Sequence, residues 1–283
     1  MLPYMPKWTY PLFCSLAYLI CIRKVLHLRK PRTFTEKIQW MKFHDSTEMK
    51  SRLSDKYLVK EWVREKIGDQ YVIPLLGAWD TFDEIDFDKL PSKFVLKLNH
   101  GCGFNYFVPD KDRLDYADAR RKIEQWRKTA FEFSSFEMHY AAIQRKIIAE
   151  EYIENLADEY VNDYKAWCFQ GKVLFILYLT DRKNGLKEVY LDRNWSVLPL
   201  ASGVASKITE VPEKPENLEE FIRISERLAA GIPFVRVDFY RLNDGSFRFG
   251  EMTFTPCGGF IRWSPKEWDL KLGNLLTLPS PEK

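Results

Sequence analysis

The stretch from Phe234 to Phe254, FVRVDFYRLNDGSFRFGEMTF, constrains the fold more tightly than any other part of the sequence. Two runs rich in aromatic and β-branched residues flank Asp244-Gly245, and a two-residue Asp-Gly turn closes an antiparallel hairpin because glycine accepts the positive φ it requires. That turn predicts the pairs Asn243 with Ser246, Tyr240 with Phe249, Asp238 with Glu251 and Arg236 with Thr253. Val235, Val237 and Phe239 then form one apolar face, and Arg236, Asp238 and Tyr240 share the other. Two carboxylates directly opposite each other, about 5 Å apart at Cβ, repel unless something neutralises them. Two readings stand at this point. One is a solvated face on which Arg236 quenches Asp238. The other is a site for Mg2+, a hard cation that takes one or two protein carboxylates and completes its shell with water and phosphates.

The chain has 283 residues, 46% apolar and 15% aromatic, with a net charge of +3. It is long enough for a sizeable core and two or three subdomains, and its charge suggests neither disorder nor a nucleic-acid partner. Five widely spaced cysteines without a CxxC argue against a disulfide framework or a zinc site and for a reducing, cytoplasmic setting. No run reaches the roughly 18–20 apolar residues that span a bilayer. The apolar stretch Tyr10 to Ile22 is followed, not preceded, by Arg23, Lys24, Arg29, Lys30 and Arg32, which disfavours a signal peptide. It reads either as a buried helix or as an interfacial helix whose basic flank, within residues 10–32, makes peripheral contact with anionic lipid at the inner face of the plasma membrane.

Thr33 stands three residues before Glu36 in capping-box spacing, which predicts a helix over 33–42. A second helix is expected over 54–66 with a stop at Gly68, and another over 217–230 from an Asn217 cap. Strands are expected at 71–76, 93–98, 150–153, 163–169, 172–180 and 188–192, with residues 115–148 mostly helical. The expected class is α+β.

Lys93 to Val108 reads as strand, glycine loop, strand. It is neither a Walker A loop nor a dinucleotide fingerprint. Gly101 and Gly103 instead permit close approach of backbone N–H groups to phosphate oxygens, with Lys97 on the entering strand in reach. Against this stands an ordinary turn. Glu150 and Glu151 lie in an apolar segment that joins the helical half to the sheet half, and Lys165 shares a strand face with Trp167 and Phe169. Lys165 is read as either a snorkelling lysine or an anion contact.

The ordered set of TFTEKIQW (33–40), DKY (55–57), LKLNHGCG (96–103), EEYI (150–153), DYK (163–165), RVD (236–238), FGEMTF (249–254) and Pro-x-Glu-Trp-Asp (265–269) resembles the ATP-grasp superfamily, and within it the TupA-like branch. The likeness runs from about residue 29 to 279. That branch is associated with teichuronopeptide and capsular polysaccharide biosynthesis. The resemblance implies an N-terminal region (1–92), a central subdomain bearing the flap (93–153) and a C-terminal subdomain bearing the metal hairpin (154–283), the last two clasping ATP. It implies phosphate contacts from Lys56 and Lys97, a flap of His100, Gly101, Cys102 and Gly103, and adenine contacts from Glu150, Glu151, Tyr152 and Ile153. It also implies Mg2+ at Asp238 and Glu251, a phosphate or substrate contact at Lys165, and Arg236 beside an acyl phosphate. Two positions depart from the pattern. Thr253 stands where many ATP-grasp enzymes carry a metal-binding asparagine, so it is expected to offer one oxygen ligand, and Cys102 stands where the branch often has serine.

The expected activity is an ATP-dependent carboxylate–amine ligase joining an amino acid or small amine to the carboxylate of a uronic acid in a glycan or sugar nucleotide, with Arg262 on the substrate carboxylate. Its parts would be positioned cations and backbone donors. Three rivals are carried. They are a glycosyltransferase using Asp86-Phe87-Asp88 as a DxD motif, a kinase on the same nucleotide scaffold, and a nucleotide-binding scaffold without catalysis.

Overall fold

The computed structural model describes residues 5–153, 162–181, 184–208 and 211–280. The expected boundary after Ile153 runs into residues 154–161, which lie outside the described residues. Two sheets organise the rest. A four-stranded sheet has the order β1 (Leu75–Trp79), β4 (Ile147–Glu151), β2 (Phe94–Leu98), β3 (Asn105–Val108). A six-stranded sheet has the order β10 (Phe247–Thr253), β9 (Phe234–Arg241), β5 (Asn162–Phe169), β6 (Lys172–Thr180), β7 (Lys187–Leu191), β8 (Ser206–Lys207), with only the last pair parallel. The class is α+β.

Strand alternation decides what each sheet covers. In β5 and β9, Tyr164, Ala166, Cys168, Val235, Val237 and Phe239 enter one core with helices α4 (Val59–Ile67) and α6 (Leu218–Ala229). On the opposite face Trp167, Phe169 and Phe234 pack beneath α2 (Phe34–His44) and α7 (Glu267–Leu275). That cover ends part-way along the strands. Past Trp167 and Phe234 the same face carries Lys165, Asp163, Arg236 and Asp238, and there the cleft opens. The smaller sheet behaves alike. Phe94, Leu96, Ile147 and Ala149 pack against α5 (Tyr116–Lys128), while Lys97 and Glu150 stand on the face turned to the cleft.

Local sequence explains most helix ends. Thr33 and Glu36 close the expected capping box, with Glu36 N donating to Thr33 Oγ1 at 3.3 Å and Thr33 N to Glu36 Oε2 at 3.0 Å. Helix α7 lies so close to α2 that a Cβ at Gly273 would sit 2.2 Å from the Arg32 carbonyl oxygen. Helix α1 (Tyr10–Ile22) buries Tyr10, Cys14 and Tyr18.

Four expectations need correction. The helix expected over 54–66 starts only at Val59, because Asp55 Oδ1 accepts from the N–H groups of Tyr57 and Leu58 and forms a turn between α4 and a preceding helix that was not expected, α3 (Glu48–Ser54). The strand expected at 71–76 begins at Leu75, since Tyr71 and Val72 are drawn into the core beside α4. Helix α5 stops at Lys128, and the aromatic stretch beyond it forms 3-10 turns before β4 starts at Ile147. Asn217 precedes α6 without a side-chain cap and instead donates to the Gly245 carbonyl at 3.0 Å.

The hairpin contains two departures that cancel. Leu242 N donates to Ser246 O at 2.8 Å, so the loop holds three residues, Asn243 to Gly245, with Gly245 at φ 82°. Near the loop this pairs Tyr240 with Arg248 and Phe249 with Phe239, not Tyr240 with Phe249. Gly250 then supplies an extra residue in β10, a bulge that restores the expected register, and Asp238 faces Glu251 and Arg236 faces Thr253. A Gly245→Val substitution forces a β-branched residue into the left-handed region and is expected to cost about 1–2 kcal/mol. A lower midpoint of urea unfolding at unchanged slope would report it.

Candidate functional site

The uncovered polar faces of the two sheets border a cavity of about 510 Å3. Each sheet presents a buried carboxylate held by two cations, and the larger sheet adds buried Asp163, 3.8 Å from Lys165 Nζ. On the smaller sheet the carboxylate is Glu150. Strand register sets Val95 opposite Glu150 and Lys97 opposite Ile148, so Lys97 is the diagonal neighbour of Glu150 on the same face. Lys97 Nζ lies 2.5 Å from Glu150 Oε2, and Lys60 of α4 lies 2.6 Å from Oε1 while also donating to the Ile73 carbonyl at 2.7 Å. Burial alone would raise the Glu150 pKa, but Lys97 and Lys60 overcome it and hold the group at about 2. Burial pulls the Lys60 ammonium below its ordinary range, with Glu150 opposing.

On the larger sheet the carboxylate is Asp238. It faces Lys165 across β5 and Glu251 across β10. Lys165 Nζ donates to Asp238 Oδ2. Arg236 grips the same carboxylate in bidentate fashion, Nε to Oδ1 at 2.7 Å and Nη2 to Oδ2 at 2.6 Å. Arg236 Nη2 further reaches Glu251 Oε1 at 3.1 Å and Thr253 Oγ1 at 3.0 Å, and Thr253 Oγ1 donates to Glu251 Oε1 at 3.1 Å. Burial pushes the Asp238 carboxyl up, yet Arg236 and Lys165 hold it below the usual range. Arg236 is itself held far above the ordinary guanidinium value, as Asp238 and Glu251 outweigh its burial.

The flap spans the two. β2 and β3 form a hairpin whose loop carries Gly101 at φ 76° and Gly103 at φ 78°. Nothing lies within 4 Å of the space a Cβ would take at Gly103. Lys56 Nζ donates to the Gly101 carbonyl, and burial lowers the Lys56 pKa. Buried Asn99 fixes the base of the loop. Its Nδ2 donates to Asp55 Oδ2 and Gln144 O at 2.9 Å each, its Oδ1 accepts from Lys146 N at 2.7 Å, and its carbonyl accepts from Lys56 N at 2.9 Å. The Asp-Lys-Tyr phrase is therefore a turn that aims Lys56 at the flap.

Of the residues singled out in the sequence, Lys56, Lys97, Cys102, Gly103 and Glu150 line the cavity from one side, and Lys165, Arg236, Asp238 and Glu251 from the other. Thr253 sits behind Glu251 as its hydrogen-bond partner. His100 is buried under the flap, 5.7 Å from the Phe104 ring, and burial with Arg145 nearby lowers its pKa to about 4. Glu151 is exposed, and Tyr152 packs edge-on to Phe107, which does line the cavity. Ile153 is half-buried just beyond β4. Arg262 borders a different cavity, of about 310 Å3, with Arg23, Lys24 and Lys266. Asp86 and Asp88 belong to an exposed 3-10 turn in which Asp86 caps Asp88 N and pairs with Lys89.

Sequence reasoning missed Lys60 and Asn99. Lys60 was detectable, since 60, 63 and 67 fall on one helix face with Val63 and Ile67 in the core, and a lysine there needs an anion. No comparable signal marked Asn99, because its partners are 44 to 47 residues away.

A family model described as TupA-like ATPgrasp matches residues 36–277. No curated protein matches the chain in sequence. Among solved structures, D-alanine–D-alanine ligase from Bacillus anthracis complexed with ATP is 18% identical at a TM-score of 0.44, covering 72% of this chain and 55% of that one. N5-carboxyaminoimidazole synthetase from Staphylococcus aureus complexed with ADP is 12% identical at 0.48, covering 81% and 53%. L-amino acid ligase from Bacillus licheniformis is 18% identical at 0.46, covering 78% and 50%. The chain thus spans about half the length of the structures it matches.

Glu150→Gln should leave Lys60 and Lys97 buried without their counter-charge and cost about 3 kcal/mol. Because the folded pKa of Glu150 is depressed to about 2, its contribution is present above the unfolded value, near 4.5, and is lost as pH falls through about 2. Denaturant titrations between those pH values should show a smaller acid-induced loss in the variant than in the wild type.

Proposed function

The chain belongs to the TupA-like ATP-grasp family, and from that premise we propose that its cleft binds ATP and joins a carboxylate to an amine. The observation that carries the reading is the facing of two buried, doubly neutralised carboxylates across one cavity beneath a glycine hairpin. In this reading residues 93–153 and 154–283 are the two halves that clasp the nucleotide, with 1–92 as an N-terminal region. Lys56 and Lys97 hold phosphate oxygens, and Gly101 to Gly103 cover them. Main-chain groups of Glu151 to Ile153 meet the adenine edge, since both oxygens of Glu150 are engaged by lysines.

Magnesium fits the donor chemistry. Asp238, Glu251 and, behind Glu251, the Thr253 hydroxyl are hard oxygen donors that Arg236 now engages together, so an ion would take their oxygens in exchange for Arg236, and Glu251 is only partly buried. These three residues would hold it, and it would supply charge neutralisation on the transferring phosphate. The remaining work falls to the chain's own groups. Arg236 and Lys165 stand where they would stabilise charge developing on the γ-phosphoryl group and on the substrate carboxylate. The carboxylate oxygen attacks the γ-phosphorus and ADP departs, leaving an acyl phosphate. The amine nitrogen then attacks the acyl carbon, inorganic phosphate leaves, and the ammonium proton is released to solvent.

For the substrates we propose a uronic-acid carboxylate of a surface polysaccharide or its precursor, with an amino acid or small amine, in a cytoplasmic setting. The substrate class rests on the resemblance to the TupA-like branch, and the reducing setting on the five free cysteines. Screening uronic acids crossed with amino acids should reveal one pair for which ADP and inorganic phosphate appear together only when both partners are present. ADP with a phosphorylated product and no free phosphate would make the protein a kinase instead. Asp238→Asn and Glu251→Gln are each expected to lower magnesium-dependent turnover by about 100-fold or more, Glu251→Gln with circular dichroism unchanged and Asp238→Asn folded but less stable, since Arg236 and Lys165 lose their shared counter-charge. Full activity in either variant would remove the metal assignment.

A further inference from the structure

Helix α1 is apolar on every side, yet only one of its faces has a partner. Tyr10, Cys14 and Tyr18, spaced four apart, are buried against Phe136 and Leu26. The opposite stripe consists of Leu12, Leu16, Leu19 and Ile20, continued by Trp8 before the helix and Val25 after it, and each of these is between 49% and 73% exposed. So many large apolar side chains on one helix face are a contiguous patch, unlike the scattered apolar residues of an ordinary surface. The helix ends with Arg23 in a left-handed conformation, φ 61°, which turns the chain sharply into a basic loop.

Charge is arranged around this patch. Residues 1–35 contain six Lys and Arg and no Asp or Glu, although the whole chain has a net charge of only +3, so the remainder is net negative. Lys24, Arg29, Lys30, Arg32 and Lys266 border a cavity of about 1030 Å3 beside the helix. Of the three carboxylates that line that cavity, Glu36 is engaged by His27 and the N–H groups of Arg32 and Thr33, Asp269 by Thr35, and Glu267 is exposed, so five cations face one outward carboxylate. No helix among the described residues is long and apolar enough to cross a membrane.

We propose that the outer face of α1 and the basic loop after it dock the protein on an anionic phospholipid surface. The apolar stripe enters the headgroup–acyl boundary with the helix lying flat, Trp8 sits at the interface, and Lys24, Arg29, Lys30 and Arg32 meet lipid phosphates. A second copy of this chain would bring the same cationic rim against itself, whereas an anionic surface complements it. This assignment is independent of the ligase reading.

The test is flotation of the full chain with phosphatidylcholine vesicles and with mixed phosphatidylcholine–phosphatidylglycerol vesicles. About tenfold more protein should float with the anionic vesicles at low salt, and the preference should fall as salt shortens the screening length. The double variant Leu16→Glu, Ile20→Glu should lose capture by either vesicle. Arg29→Glu with Lys30→Glu should remove the preference for anionic lipid. Circular dichroism of each variant checks that it is folded. Equal capture by both vesicle types, or undiminished capture of a folded Leu16→Glu, Ile20→Glu variant, overturns the proposal. So does a wild-type dimer in sedimentation that this variant converts to monomer while vesicles capture neither.

Discussion

Asp238 is the group around which the larger sheet is organised. Its carboxylate is buried in the middle strand of three, with Lys165 directly opposite on one side, Glu251 directly opposite on the other and Arg236 two residues along its own strand. A lone buried carboxylate costs several kcal/mol, and two well-placed cations offset that cost. Their placement depends entirely on register. A one-residue slip of β9 would carry Asp238 to the face occupied by Val235, Val237 and Phe239 and would bury those charges in a core of aromatic rings. Apolar patterning and the ion cluster therefore select the same register, and the Gly250 bulge reconciles that register with a three-residue loop.

The smaller sheet repeats the arrangement with Glu150 between Lys97 and Lys60. Lys60 is not part of that sheet. It comes from α4, which packs in the core of the larger sheet, so this ion pair ties one sheet to the helical layer of the other. The turn after β10 is secured in a comparable way. Buried Lys42 donates to Gln39 Oε1 at 2.7 Å and to the carbonyls of Ser135 and Gly258 at 2.5 Å each, and burial pulls its pKa down to about 8. Glu137 accepts from Thr255, two residues past Thr253. The cleft is thus held by polar groups buried outside it, while the flap tip at Gly103 has open space around it.

How much of this was legible in the sequence depended on the range of the interaction. Local rules found the capping box at Thr33 and Glu36, the alternation of β9, the glycine flap and the facing of Asp238 with Glu251. The last emerged although the turn was misjudged by one residue, because the bulge shifted the register back. Long-range constraints were not readable. The break at Asp55 is enforced in part by Asn99, 44 residues away, and beyond the end of α5 at Lys128 the 3-10 turns set Phe131 edge-on to both Phe104 and Tyr140. Lys60 shows an intermediate case, in which the helical spacing announced a buried lysine but not the carboxylate that received it.

The charge balance of the cleft also says how an anionic ligand would enter. Lys97, Lys165 and Arg236 are each bound to a carboxylate, so a phosphate must share or exchange those partners and gains less than it would from bare cations. Lys56 differs. It is half-buried, its pKa is lowered, and its ammonium is held by the carbonyl of Gly101 on the flap itself. A phosphate offers that ammonium a stronger partner than a neutral carbonyl. Taking it up would release the Gly101 carbonyl from Lys56 and leave the backbone N–H groups of Gly101 to Gly103 free to turn toward the ligand. A phosphate in the cleft would therefore compete with the Gly101 carbonyl for Lys56 through a single exchange of hydrogen-bond partner. Lysine suits that position, because its ammonium gives up the carbonyl without a change in backbone and a guanidinium fork would not pivot as freely.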